Sequence, residues 1–477
     1  MLTLSISIIL LVIGYFVYSR VCERIFDISG DKPTPAITRN DGVDFVPMPR
    51  WRVFMVQFIN IAGLGPIFGA VAGAAWGPVA FLWIVLGCVI AGGVHDYFSG
   101  MLSVRNDGYS FSEVSGRYLG KWIKQFMRLF TLVLLVMVGV VFLVGPANIL
   151  AEMFPSNLLT VGVWTGIILA YYILSTILPI DRLVGKLYPI FGIVLLFMTV
   201  SIGGAIFYLG LPVPELSKET FANLHINRDS MPIFPMLFVT IACGAVSGFH
   251  ATQSPLMARC IKREKDGRPI FFGAMVTEGI VALVWAAVSM SYFGGVRELN
   301  LFLSDNGWNA SLVVNEVCTQ MLGGVGGMLA LIGVVIAPVS SGDTAFRGAR
   351  ILLADIFSIS QQAIRSRLLL ALPLFVIAFL VSMLDFGVVW RYFSWTNQSL
   401  ATIVLWTISV YLIKQRKFHW VSTLPATFMT VVVVSYILIA PEGFSLPHML
   451  SYSVGILAGG AALFMALRHS VLNREKE

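Results

Sequence analysis

Two stretches decide the reading of this chain: Asn60-Ile61-Ala62-Gly63-Leu64-Gly65-Pro66 and Cys243-Gly244-Ala245-Val246-Ser247-Gly248-Phe249-His250. Each sits inside an apolar run long enough to cross a bilayer. Glycine weakens a helix by about 1 kcal/mol and proline by about 3, so both runs are expected to be interrupted. In a bilayer an unwound stretch survives only where protein or a water-filled cavity satisfies the freed backbone groups. Interruptions at corresponding positions of two halves point to a transporter binding site. The alternative for such glycines is close helix packing, the role expected of Gly69, Gly73 and Gly77 at intervals of four.

The composition agrees with a membrane setting. Of 477 residues, 57% are hydrophobic and 12% charged, with mean hydropathy +0.84. A soluble domain carries roughly 25% charged residues, so most of this surface faces something apolar, and no polar stretch reaches domain length. Cys22, Cys88, Cys243, Cys260 and Cys318 form no C-x-x-C pair, which argues against a disulfide framework or zinc ribbon. The apolar start, Met1 to Tyr18, lacks a preceding basic residue and a cleavage pattern, and is expected to be a first span rather than a signal peptide.

Spans of roughly 20 apolar residues cross a bilayer core of about 30 Å. On that measure the sequence predicts thirteen: 2–18, 51–75, 77–102, 127–150, 159–180, 187–210, 235–258, 270–293, 323–345, 368–384, 387–412, 421–440 and 449–467. Alternate connections then hold 28 of the 32 Lys and Arg residues on one side, and Lys218, Arg228, Arg297 and Arg391 alone on the other. The positive-inside rule makes the rich side cytoplasmic, the N-terminus external and the C-terminus internal. The expected location is the inner (plasma) membrane, with lipids as surroundings and no nucleic-acid partner; the basic loop 259–268 reads as an inside anchor.

The two interrupted spans are five apart. Five is odd, so the second block of five enters the membrane from the opposite face. This predicts an all-α membrane protein with a LeuT-like 5+5 inverted repeat. Its units are an N-terminal helix and cytoplasmic loop (1–50), repeat A (51–210), an external loop (211–234), repeat B (235–412) and two C-terminal helices with a tail (413–477).

The stretches IAGLGPIFG (61–69), AGGVHDYFSG (91–100), LFVTIACGAVSGFHATQSP (237–255), APVSSGDTAFRGAR (337–350) and WRYFSWTNQSLAT (390–402) resemble the carbon starvation protein CstA family. The resemblance implies an inner-membrane transporter of the amino acid–polyamine–cation superfamily, linked to uptake of peptides or of pyruvate with protons. The sequence departs from the family at His95, where glutamine is frequent.

Ionisable groups inside a bilayer cost about 2.5–3.5 kcal/mol each at a helix centre and mark function by default. They are His95, Asp96, His250, Glu278 and Asp343. Counted from the predicted span ends at 1.5 Å per residue, all five fall in the inner third, where they can form one cluster. His95 and Asp96 lie about 100° apart on a helix and cannot both face one cavity squarely. Three readings are open: a proton relay, a metal site drawing on His95, Asp96, His250 and Asp343, and hydrogen-bonded pairs that lock a gate. Ser340, Ser341 and Thr344 accompany Asp343, and the LeuT-like resemblance allows a Na⁺ site there. Arg347, one turn on, is a candidate ion-pair partner of Asp343.

For the solute, the interrupted helices offer backbone N–H groups and helix N-termini suited to a carboxylate. Candidate binding residues are Asn60, Gly63, Gly65, Pro66, Gly244, Ser247 and Gly248, with Trp395, Asn397 and Gln398 on the opposite wall. No basic residue lies at a span centre, so a small monocarboxylate or zwitterion fits better than a polyanion. No phosphate loop, H-E-x-x-H or G-x-S-x-G motif is present. The expectation is a cofactor-free H⁺- or Na⁺-coupled symporter, not an enzyme. A membrane-embedded metal-dependent enzyme and a channel are the alternatives.

Overall fold

The computed structural model describes residues 1–28, 32–154, 156–177, 184–384 and 386–472, with side chains left out at 184, 185, 325, 329 and 469–472. The predicted connection 181–186 and the C-terminal tail therefore lie largely outside the described residues. All described secondary structure is helical: α1 (Leu2–Phe26), α2 (Arg50–Ile61), α3 (Gly65–Trp76), α4 (Val79–Arg105), α5 (Phe111–Leu119), α6 (Lys121–Met153), α7 (Val161–Ile177), α8 (Val184–Tyr208), α9 (233–240), α10 (His250–Ala258), α11 (Gly273–Tyr292), α12 (Val296–Asp305), α13 (Ala310–Phe357), α14 (Ile364–Val381), α15 (Phe386–Lys414), α16 (Trp420–Ile439) and α17 (His448–Leu472).

Ten helices among the described residues are long and apolar enough to cross a membrane, or eleven if α2 and α3, bent by 51° across their break, make one span. The other two predicted spans fall on α7, an apolar helix of 17 residues, and on the interrupted segment formed by α9 and α10. The boundary at Gly77-Pro78 is a helix end: Gly77 has φ 85°, a conformation that glycine adopts without a Cβ penalty, and α4 begins two residues later.

The two ends of the bundle are chemically distinct. On the Lys/Arg-rich side the connections bind one another: Arg105 pairs with Glu264 at 3.1 Å, Arg259 donates to Gly108 O, the Thr34 hydroxyl donates to Ile261 O, and Lys417 donates to Phe26 O. At the opposite end the loop 211–232 lies over Trp76 and α12. Trp76 Nε1 donates to Met231 O, and Asn300 Nδ2 donates to Ala75 O while its oxygen accepts from Ile226 N–H.

One predicted boundary needs correction. The ninth span was expected to end at residue 345, but α13 runs unbroken from Gly326 to Phe357 after a kink at Gly323. The arginines suggested a membrane edge there. Instead Arg347 and Arg350 are buried inside the helix bundle, where Arg347 donates to Ser175 O and Arg350 to Gln361. Asp343 lies within α13 rather than at its end.

Candidate functional site

Small residues let the two interruptions touch. A Cβ added to Gly65 would lie 2.2 Å from Cys243 Cβ, and one on Gly244 would lie 2.6 Å from Ala282 Cβ and 3.7 Å from Pro66 Cβ. Gly244 also takes φ 90°, open to glycine at little cost. The first break spans only Ala62–Leu64, whereas the second leaves residues 241–249 without regular helix. Both breaks are buried.

The second break is held from α15. Asn397 Oδ1 accepts from Phe249 N–H at 2.7 Å and from the Ser247 hydroxyl at 3.1 Å, and the Asn397 carbonyl accepts from Gly248 N–H at 3.2 Å. Those bonds satisfy N–H groups at the start of α10 that no helix turn can reach. Gly248 is pressed onto the same helix: its Cβ would meet Asn397 O at 2.4 Å and Ala401 N at 2.6 Å. Asn397 and Ser247, expected on the walls of a solute site, are thus engaged with each other. Gln398 Nε2 donates to Phe238 O at 2.9 Å, and Trp395 Nε1 donates to Val433 O, which sets that ring against α16.

Four of the five predicted ionisable residues meet, all fully buried. The Asp96 carboxylate lies between two imidazoles, 2.7 Å from His95 Nδ1 and 2.8 Å from His250 Nδ1. Adjacent positions on α4 do not keep His95 and Asp96 apart, because the imidazole folds back onto its neighbour. His250 Nε2 then approaches Glu278 Oε2 on α11 at 3.4 Å. With both Nδ1 atoms donating to the carboxylate, each neutral ring carries its lone pair on Nε2. The result is a chain His95–Asp96–His250–Glu278 joining α4, α10 and α11. Its length comes from α10 beginning at His250, at the end of the second break.

Asp343 stands in a separate network. It accepts from the Tyr188 hydroxyl, which lies 3.3 Å from that of Tyr171. The metal grouping anticipated with Asp343 is therefore corrected. Among the described residues, the set whose ligand atoms lie within 4.8 Å of one another is Cys243, His250 and Glu278, a mixed S/N/O set able to take a divalent ion. Ser340 and Thr344 bond back to carbonyls of α13 itself, while the Ser341 hydroxyl reaches Ile59 O at 2.9 Å, beside the first break.

Three buried polar residues in the same spans are not among the site residues predicted from sequence, because none of them carries a charge at neutral pH. Gln57 and Gln253 are fully buried, as is Tyr188. Their signal was an uncharged polar side chain inside an apolar run.

The sequence model of the carbon starvation protein CstA family matches residues 1–222 and 159–321. The chain belongs to this family. An uncharacterized membrane protein of Haemophilus influenzae is 42% identical over 350 residues, covering 63% of this chain and 93% of the relative. The peptide transporter CstA of Bacillus subtilis is 25% identical over 530 residues, covering 90% of this chain and 88% of its own. The pyruvate/proton symporter BtsT of Escherichia coli is 29% identical over 384 residues, covering 67% of this chain; the chain spans about half of BtsT, 52%. Among solved structures, mutants of the manganese transporter of Eremococcus coleocola share the fold at TM-score 0.52 and 13% identity, covering 91% of this chain and 99% of the transporter. This CstA-family chain is thus a multi-pass membrane protein whose named relatives are transporters.

Proposed function

We propose that the chain is a secondary active transporter that imports a small organic solute by alternating access, with pyruvate and short peptides as the leading substrates. It is read as a LeuT-like 5+5 repeat, 51–210 and 235–412, with the solute bound where the two breaks face each other. The observation that carries this reading is the contact of the breaks at Gly65–Cys243, with His250 and Glu278 of the buried chain beside Cys243. The names of the relatives from Bacillus subtilis and Escherichia coli support it.

Coupling follows from charge counting. With both imidazoles neutral, Asp96 and Glu278 bring two negative charges into a fully buried site, and such charges are expensive in a bilayer. Each proton taken up by the chain removes one of them. A closed, solute-loaded state is then favoured when protons are bound, which links solute movement to the proton gradient. A cavity beside α10, lined by Ala251, Thr252 and Pro255, measures about 30 Å³, enough to hold a water. Sodium is the second reading of the coupling ion, favoured by the Ser341 hydroxyl beside Ile59 O.

The test is uptake of labelled pyruvate and of a labelled dipeptide into proteoliposomes under an imposed proton gradient, an imposed sodium gradient, or neither. Accumulation above equilibrium with one gradient alone is expected. Accumulation of neither solute under any gradient overturns the substrate assignment and brings forward an enzyme built on Cys243, His250 and Glu278. Flux that only equilibrates the solute points to a channel.

A further inference from the structure

Three donor atoms of different chemistry converge where the second break meets α11. Cys243 stands in the break, His250 opens α10 and Glu278 lies on α11. All three are buried, and one sulfur, one imidazole nitrogen and one carboxylate oxygen lie within 4.8 Å of one another. His250 Nε2 is 3.4 Å from Glu278 Oε2. That is longer than the roughly 2.7–2.9 Å of a charge-assisted hydrogen bond, whereas the same ring reaches Asp96 through Nδ1 at 2.8 Å. It matches the edge of a tetrahedral metal site: with bonds of about 2.0–2.2 Å to nitrogen and oxygen, neighbouring ligand atoms stand about 3.4 Å apart. With a bond of about 2.3 Å the sulfur edge is about 3.6 Å, so Cys243 Sγ has about 1 Å to close at most.

Each donor is backed by a contact of the kind that orients metal ligands. Asp96 takes the Nδ1 proton of His250 as a hydrogen bond, which leaves the Nε2 lone pair toward Glu278. The Gly244 N–H donates to the Glu278 carboxylate, using one of its roughly four acceptor positions. Asn397 Nδ2 faces Cys243 Sγ at 4.0 Å. Gly65 of the first break confines the sulfur further, since a Cβ there would lie 2.3 Å from it. A lone pair and a carboxylate that face each other at 3.4 Å call for a cation between them. A proton or a metal ion serves, and the neighbouring sulfur favours a thiophilic ion, Zn²⁺ rather than the oxygen-seeking Mg²⁺ or Ca²⁺.

We propose that Cys243, His250 and Glu278 form a binding site for a thiophilic divalent ion of the zinc class, which ties the second break and the start of α10 to α11. The thiol gives up its proton to solvent as the metal–sulfur bond forms, and three protein ligands leave a fourth position for water. On the transport reading above, the second break moves against α11 during the cycle, so the bound ion holds one conformer and stops uptake. The site itself does not depend on which solute is carried.

The experiment uses the full chain without a polyhistidine tag, purified in detergent and stripped by a chelator, with Co²⁺ as the spectroscopic probe and Zn²⁺ as competitor. Wild type is expected to bind one Co²⁺ with a thiolate-to-cobalt charge-transfer band in the near ultraviolet, bleached by Zn²⁺. Cys243→Ser should lose the band, and Cys318→Ser, on α13, should keep it. Asp96→Asn retains all three ligands and is expected to weaken Zn²⁺ binding about 10–100-fold, the scale of a lost partner behind a ligating histidine. No cobalt–thiolate band in wild type, or an undiminished band in Cys243→Ser, overturns the site. Should Cys243→Ser fail to fold, Glu278→Gln decides: Zn²⁺ affinity equal to wild type overturns it as well. In proteoliposomes Zn²⁺ should arrest uptake of labelled pyruvate or dipeptide by wild type, and act less on the uptake that Cys243→Ser retains. Zinc that binds wild type without slowing uptake overturns the clamp. If wild type takes up neither solute in the absence of zinc, it is the transport reading that fails, and the cobalt band still decides the site.

Discussion

Two of the buried histidines, one inside the bundle and one in a loop at its end, are treated in opposite ways. His250 begins α10 within the bundle and faces a carboxylate at each nitrogen, Asp96 at 2.8 Å and Glu278 at 3.4 Å. His225 lies in the loop 211–232, stacked on Trp308 with ring centroids 4.7 Å apart and 6° between planes, and against Trp76 at 4.6 Å. Its Nδ1 accepts from Asn227 N–H. One ring is wired to anions and suited to carrying a proton. The other is an aromatic filler that holds the loop over the end of α3. Burial alone therefore says little about what a histidine does; the neighbours decide.

The largest expected effect comes from cutting the wired side. Asp96→Asn leaves both imidazoles without their shared anion, and breaking a buried pair costs about 3–5 kcal/mol. Gradient-driven accumulation should fall to background, while His225→Phe, which preserves a flat ring between the two indoles, should keep accumulation within about 2-fold, less than the tenfold worth ~1.4 kcal/mol. Equal loss in both variants would erase the contrast.

A smaller effect tests how His250 is placed. Gly248→Ala pushes a methyl onto the backbone of α15, and overpacking of this kind costs about 1–3 kcal/mol. Gly204 has nothing within 4 Å of an added Cβ, so Gly204→Ala is expected within about 0.5 kcal/mol of wild type. Thermal unfolding in detergent measures both, and a Gly248→Ala protein as stable as Gly204→Ala would show that the break is not clamped by α15.

The smallest effect is a pH dependence at the loop. Burial lowers the His225 pKa to about 4, so the latched loop favours the neutral ring. For a histidine whose pKa is depressed in the closed state, closure is at full strength above the free value of about 6.5 and weakens as pH falls toward 4. The groups packed against it are Trp76, Trp308 and the Asn227 amide. Labelling of Met231→Cys by a membrane-impermeant maleimide should rise as pH falls from 7 to 4.5, after correction for thiolate reactivity. All five native cysteines are buried, which keeps the background low. No change in labelling, or the same change in His225→Phe, would separate the loop from His225.

Much of the architecture was legible without coordinates. Glycine and proline at 60–66 and 243–250 weaken helix locally whatever surrounds them, and both breaks are where those residues stand. The Lys/Arg distribution sorted the connections, and the structure brings those connections into contact at one end. Counting along helices could not pair Asp343, which accepts from Tyr188 and not from the histidines. Depth along one helix is local information, and neighbours are not.

By itself the sequence determined that the chain lives in a membrane, that two helices are interrupted, and that His95, Asp96, His250, Glu278 and Asp343 are buried, since each follows from the cost of placing a residue in apolar surroundings or in a helix. Only the tertiary structure decided which residues touch: Asp96 between two histidines, Asn397 bonded to the second helix break, and Asp343 given to Tyr188. Hydrogen bonds reach about 3 Å, and residues as far apart as Asp343 and Tyr188, 155 positions, come within that reach only through packing that no local pattern encodes.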